Sequence, residues 1–229
     1  MTQTLHELLT AAPAEVLDRL PAMGRLMVIL RAGGATHERI GPVGAVLHEA
    51  GAARIAGDCH DALIPLAPVA AIAIDRSSVM KDKIYPRLEF RDAAGRVLAA
   101  VVGMEGAEPF DAALAGFPRA PEAAPEKPAR TERADLAADD PACVPFEALV
   151  ASGQPAAVTV SVDGASQNWQ GRIEAVKPAM GFLNVMTADF HLHLEGGSIS
   201  GWREEPGRRI ALDAGGQPTG LTLASAAFA

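Results

Sequence analysis

The chain has 229 residues and a formal net charge of −8, with a pI near 5.2; that balance argues against a nucleic-acid partner held through phosphate contacts. Apolar residues make up 49% of the chain but aromatics only 4%, so the core is expected to be built from Leu, Val, Ile and Ala. Cys59 and Cys143 form neither a metal-ligand spacing nor a disulfide framework. The opening MTQTLHELLTAAPAEVLDRL lacks the basic and continuously apolar regions of a signal peptide. No run of about 18 apolar residues exists to span a membrane as a helix. A soluble, cytoplasmic protein of one large or two small domains is expected.

In chain order, the apolar positions between residues 4 and 21, with Pro13 opening a new turn, predict two short helices or one broken one ending before Pro21 and Gly24. RLMVILR (25–31) reads as a strand, Gly33-Gly34 as its turn and THERIG (36–41) as the return strand. Short apolar clusters broken by Gly and Ala fill 42–58. VAAIAID (69–75) is a strand and SSVMKDKI (77–84) a loop or extended hairpin. YPRLEFRD (85–92) and RVLAAVV (96–102), joined by AAG, form the clearest hairpin. Residues 105–117 read as a helix with acidic groups at its start, where the helix dipole favours them. Pro, Glu and small residues dominate 118–140, an extended linker composition.

The second half follows the same plan. FEALVASG (146–153) is a short helix, AAVTVSV (156–162) a strand, Asp163-Gly164 its turn and SQNWQG (166–171) the return. In FHLHLE (190–195), Phe190, Leu192 and Leu194 alternate with His191, His193 and Glu195, the period of a half-buried strand. Gly196-Gly197 is expected to turn it into a hairpin whose second strand begins at Ile199. RRIALD (208–213) and TGLTLAS (219–225) close the chain. Gly34 and Gly41 fall over Gly164 and Gly171, and an Asp-Ala-x-Gly turn recurs at Asp92 and Asp213. The shared order points to an internal repeat: a first half at 1–118, a linker at 119–140 and a second half at 141–229. Two-residue turns join only antiparallel neighbours, so the fold class is α+β.

GRIEAVKPAMGFLNVMTADFHLHLEGGSISGW (171–202) resembles the second-half signature of the HemS/ChuX-like haem-utilisation proteins, through Gly171, Lys177, Phe182-Leu183-Asn184-Val185 and Phe190–Leu194. GRLMVILRAGGATHERIG (24–41) and LEFRDAAGRVLAAVVG (88–103) are similar to that family's first half. The resemblance implies two similar halves, each with short helices packed on a large antiparallel sheet. It also implies a cytoplasmic protein that binds haem between helix and sheet for uptake, trafficking or utilisation. Some relatives are carriers and some degrade haem; a carrier, not an enzyme, is the expectation here.

The chain departs from the pattern at the chemistry. The segment matching the family's axial-histidine position, ACVPFEALV (142–150), holds Cys143 instead; a thiolate can ligate haem iron, although a small buried apolar Cys is the commoner role. Glu195 stands where the family has an Arg, and Glu204 or Glu205 where it has a basic residue, with Arg203 displaced. The resemblance therefore gives Cys143 and His193 as candidate iron or metal ligands and Lys177 as a candidate partner of a haem propionate. Arg76 and Arg203, at equivalent repeat positions at strand ends, are cofactor-binding candidates because a guanidinium there can pair with a carboxylate. His191 and His193, roughly 7 Å apart on one strand face, could hold a metal or cap a haem together. His37-Glu38 lacks a nucleophile elbow, a second carboxylate or a phosphate loop, so no catalytic residue is assigned. His48, Cys59 and His60 fit no metal spacing. A scaffold of the same fold that has lost haem, serving as a small-ligand or protein-interaction module, is the alternative; a haem-degrading enzyme ranks below both. The expected partner is haem or a related small molecule, with no nucleic acid and no membrane insertion, and a homodimer is left open.

Overall fold

Alternating burial governs most of the described elements, because most of the regular structure is antiparallel strand. The structure, a computed structural model, describes residues 4–124 and 134–229. It divides into two compact units, Met1–Ile29 with Arg39–Ala129, and Leu30–Glu38 with Arg130–Ala229. Among the described residues, no helix is long and apolar enough to cross a membrane.

The first unit opens with β1 (His6–Leu9) and helix α1 (Pro13–Leu17). The long hairpin of β2 (Arg25–Ala32) and β3 (Ala35–Pro42) starts and ends in this unit, while its tip, 30–38, belongs to the second. β4 (Ala45–Glu49), β5 (Ala52–Gly57) and β6 (His60–Pro65) form an antiparallel meander. Then come β7 (Ala71–Asp75), the short pair β8 (Val79–Met80) and β9 (Lys83–Ile84), β10 (Arg87–Arg91), β11 (Val97–Gly103), helix α2 (Ala107–Ala113) and β12 (Arg119–Pro121). The order β12-β1-β7-β10-β11-β2 makes one antiparallel sheet. Its buried rows include Ile72, Ile74, Leu88, Phe90 and Val101, and Phe110 of α2 is fully buried as well.

The second unit contains helix α3 (Cys143–Ser152), β13 (Ala156–Val162), β14 (Ala165–Gly171), β15 (Lys177–Ala179), β16 (Phe182–Met186) and β17 (Phe190–Glu195). β18 (Gly201–Glu205), β19 (Arg208–Leu212) and β20 (Pro218–Ser225) follow. β18-β19-β20-β13-β14 is one run of neighbours, and β3-β17-β16-β15 is another. Phe190, Leu192 and Leu194 are fully buried, as their alternation requires, and Trp169 stacks on Phe190 with ring centroids 4.4 Å apart. Burying one such aromatic ring contributes about 2–3 kcal/mol.

The expected α+β class and antiparallel pairing stand. The halves also share turn chemistry. Gly33-Gly34 and Asp163-Gly164 both place two successive residues at positive φ, 49° and 81° in one, 48° and 84° in the other, the requirement of a two-residue hairpin turn. At Asp92 and Asp213 the likeness reaches single hydrogen bonds. Each Asp Oδ1 accepts the backbone N–H groups two and four residues on, at 2.8–2.9 Å.

Four expectations need correction. His6–Leu9 is a strand, not helix, because β7 and β12 pair with it on both edges; tertiary pairing overrides a helical spacing of leucines. The clusters of 42–58 belong to β4 and β5, strands that their many Ala and Gly residues hide. Gly196-Gly197 does not make a hairpin. Both edges of β17 are already taken by β16 and β3, so the chain leaves and β18 pairs with β19. Within the expected linker, Arg119–Pro121 form β12 and Asp140 is buried, while 125–133 lie outside the described residues.

Candidate functional site

Strand alternation places two sets of chemically interesting side chains on opposite faces of β16 and β17. Cross-strand pairs set Leu183 against Leu194 and Asn184 against His193. The leucines are buried; Asn184, Phe182, His191 and His193 look the other way.

On the leucine side lies a cleft of about 400 Å³ between α3 and the strands. It is lined by Cys143, Glu147, Val150, Val176, Pro178 and Leu183, among others. α3 turns its buried Phe146 and Leu149 inward, which leaves Cys143, Glu147, Val150 and Ala151 along the cleft. Asp140 fixes the start of this helix: its Oδ1 accepts from Ala142 N at 2.9 Å and its Oδ2 from Gly197 N at 2.8 Å. A cysteine in a first helical turn ordinarily has its thiolate favoured. Here burial, then the charges of Asp140 and Glu147, push the Cys143 thiol up. A second, more polar cleft of about 560 Å³ shares the wall Glu174-Ala175 and brings Arg172, Lys177, Trp169 and Val185 to its lining.

On the other face, Glu38 of β3 meets His191 and His193. His191 Nδ1 lies 3.4 Å and His193 Nε2 3.7 Å from Glu38 Oε2. His193 Nδ1 is 2.6 Å from Asn184 Oδ1. Burial on its own would raise the Glu38 carboxyl, but hydrogen bonds from the two imidazoles, and then their charge, hold it down from 4.5 to about 2.

The candidate residues are thus scattered. Of the two candidate iron or metal ligands, Cys143 on α3 lines the cleft on the leucine side of β16 and β17, and His193 stands on their other face. Lys177 lines the polar cleft, beside the one that holds Cys143. Arg203 is exposed on β18 and pairs with Glu205 at 3.2 Å. Arg76 is 1% exposed, its guanidinium spent on Asp111 and Glu7. Of the first-half soft ligands, His48 bonds Asp18 at 2.8 Å and His60 bonds Gly41 O at 2.9 Å. His37, on the buried side of β3, has Val158 O at 3.2 Å and Gln167 Nε2 at 2.8 Å; it is a core histidine.

The architecture resembles two solved haem proteins. A crystal structure of ChuS from E. coli, described as a heme oxygenase, superposes with a TM-score of 0.75 at 18% identity, covering 96% of this chain and 83% of that one. Holo-PhuS, a heme-binding protein from Pseudomonas aeruginosa, gives 0.75 at 17% identity with 96% and 82% coverage. No family model and no curated protein matches the sequence. The chain has the HemS/ChuX-type fold.

Within that fold, two residues escaped the sequence reading. Glu38 was legible only as the neighbour of His37, because its link to His191 and His193 depends on β3 lying beside β17, a pairing 150 residues apart. Asp140 carried no signal beyond the composition of an expected linker. Alternation in THERIG does put Glu38 and His37 on opposite faces. That separates a buried histidine from a carboxylate facing outward, and it is the one clue the sequence held.

Proposed function

We propose that the protein binds haem in haem uptake, trafficking or utilisation, using the paired clefts beside α3. The observation that carries this reading is that the space between α3 and the strands is open and apolar, with two cations next door. Val150, Ala151, Val176, Pro178 and Leu183 offer a macrocycle its contact surface. Arg172 and Lys177 in the adjoining cleft suit two carboxylates. The likeness to a heme-binding protein and a heme oxygenase supports the same reading.

The residues fit the macrocycle and its carboxylates better than its iron. None of the residues lining either cleft is a histidine, and Cys143 has its thiol pushed up by burial and by Asp140 and Glu147. Recognition then rests on apolar contact and charge pairing, with Cys143 as the soft ligand lining the apolar cleft. The test is a titration of the apoprotein with hemin and, separately, with iron-free protoporphyrin. Saturable one-to-one binding of both is expected, with Lys177→Glu weakening both about tenfold, the loss of one charge-assisted pair. Cys143→Ala should alter the hemin spectrum alone. Hemin spectra identical to those without protein would remove the reading and leave the paired clefts as a module for another small ligand.

A further inference from the structure

We propose that Glu38, His191 and His193 form a binding site for a divalent first-row transition cation of the zinc class, separate from the tetrapyrrole clefts. Among the described residues this is a group of three potential ligands whose donor atoms all lie within 4.8 Å of one another. Around a tetrahedral ion with bonds of about 2.1 Å, neighbouring donor atoms stand about 3.4 Å apart. The Glu38 carboxylate oxygen is 3.4 Å from His191 Nδ1 and 3.7 Å from His193 Nε2. Two imidazoles and one carboxylate suit Zn²⁺ and its neighbours, and leave further positions for water or an exogenous ligand.

The hydrogen bonds around His193 strengthen the case. Asn184 Nδ2 donates to Lys177 O at 2.9 Å and Phe182 O at 3.2 Å, which fixes its amide with Oδ1 toward the ring. Oδ1 can only accept, so His193 Nδ1 carries the hydrogen across their 2.6 Å contact. In the neutral ring the bare Nε2 lone pair then faces the Glu38 carboxylate. Two electron-rich atoms aimed at each other repel unless a cation lies between them. An imidazole anchored by a side-chain oxygen with its other nitrogen aimed inward is the usual support of a metal-bound histidine.

The framework is stiff and the approach open. Phe190, Leu192 and Leu194 are fully buried, so β17 cannot roll its histidines away. Glu38 is 13% exposed, His191 22% and His193 31%. Thr36, Phe182 and Glu195, each two residues from Glu38, Asn184 and His193 along its own strand, line a cleft of about 540 Å³ on that face. A ligand of the metal could enter there.

The experiment uses untagged full-length protein stripped with a chelator and titrated with Zn²⁺ alone by calorimetry, with Co²⁺ absorption as a second probe. One saturable Zn²⁺ site is expected, weakened at least about tenfold by Glu38→Gln and by His193→Ala, and about 10–100-fold by Asn184→Ala through loss of ring orientation. Glu38→Gln is nearly isosteric, and unfolding curves matching wild type show that any lost binding is not lost fold. Cys143→Ala should bind zinc unchanged, which excludes capture by the thiol. No saturable binding, or equal affinity in wild type, Glu38→Gln and His193→Ala, overturns the site: a proton, not a metal, would then bridge these groups. Hemin binding by Glu38→Gln should match wild type, because Glu38, His191 and His193 line neither cleft; the two proposals therefore fail independently.

Discussion

Two charges, one in each unit, are held in opposite ways: Arg76 is buried and Glu38 half-buried. Arg76 donates from Nη1 to Glu7 Oε2 at 2.6 Å and from Nε to Asp111 Oδ1 at 3.1 Å. Arg119 lies 3.6 Å from Glu7 and 3.8 Å from Asp111, so two guanidiniums face two carboxylates and every charge is permanent near neutral pH. Glu38 has only imidazoles, whose charge is conditional. A buried ion with permanent counterions is part of the scaffold. One whose partners are charged only at some pH values leaves a place that a proton or a metal must fill.

The largest expected effect breaks the first arrangement. Arg76→Met should destabilise the protein by about 3 kcal/mol, because removing one member leaves two carboxylates side by side without their main counterion. Urea unfolding at pH 6 and pH 8 should give the same loss, since none of these groups ordinarily titrates between them. A loss below about 1 kcal/mol would mean that solvent already screens the cluster. Arg76→Lys is milder. It keeps the charge and loses the fork that reaches Asp111 and Glu7 at once, and should cost about 1–2 kcal/mol.

The same contrast explains what the sequence disclosed. Wherever a side chain's role is set by neighbours within a hairpin, the reading succeeded. The alternation of Phe190 to Leu194, the Asp163-Gly164 turn and the Asp92 and Asp213 turns all depend on contacts within about ten residues. The partners of Arg76 and Glu38 are remote and leave no local signal: Asp111 is 35 residues from Arg76, and His191 is on a strand that β3 meets only in the folded sheet. Gly196-Gly197 failed for a related reason. A glycine pair permits a tight turn, but β17 had no free edge to receive the returning strand. The helix expected from Phe146 in fact begins at Cys143, and the acid that raises its thiol comes from a segment whose composition gives no hint of burial.

The smallest expected effect is the one that best separates the two charges. The Glu38 carboxyl is held down from 4.5 to about 2, so its contribution is present above 4.5 and lost as pH falls through about 2. A shift of this size corresponds to at most about 3 kcal/mol. Partial exposure of both histidines reduces the expected loss in Glu38→Gln at pH 5 to about 1 kcal/mol. Near pH 2 the loss should shrink, because the wild-type Glu38 carboxyl then takes up its proton. Urea midpoints of wild type and Glu38→Gln at the two pH values decide it; equal losses at both would show that the imidazoles do not govern this carboxylate. Adding Zn²⁺ at pH 8 should widen the gap, because an ion that binds the folded wild type and not the variant stabilises only the former.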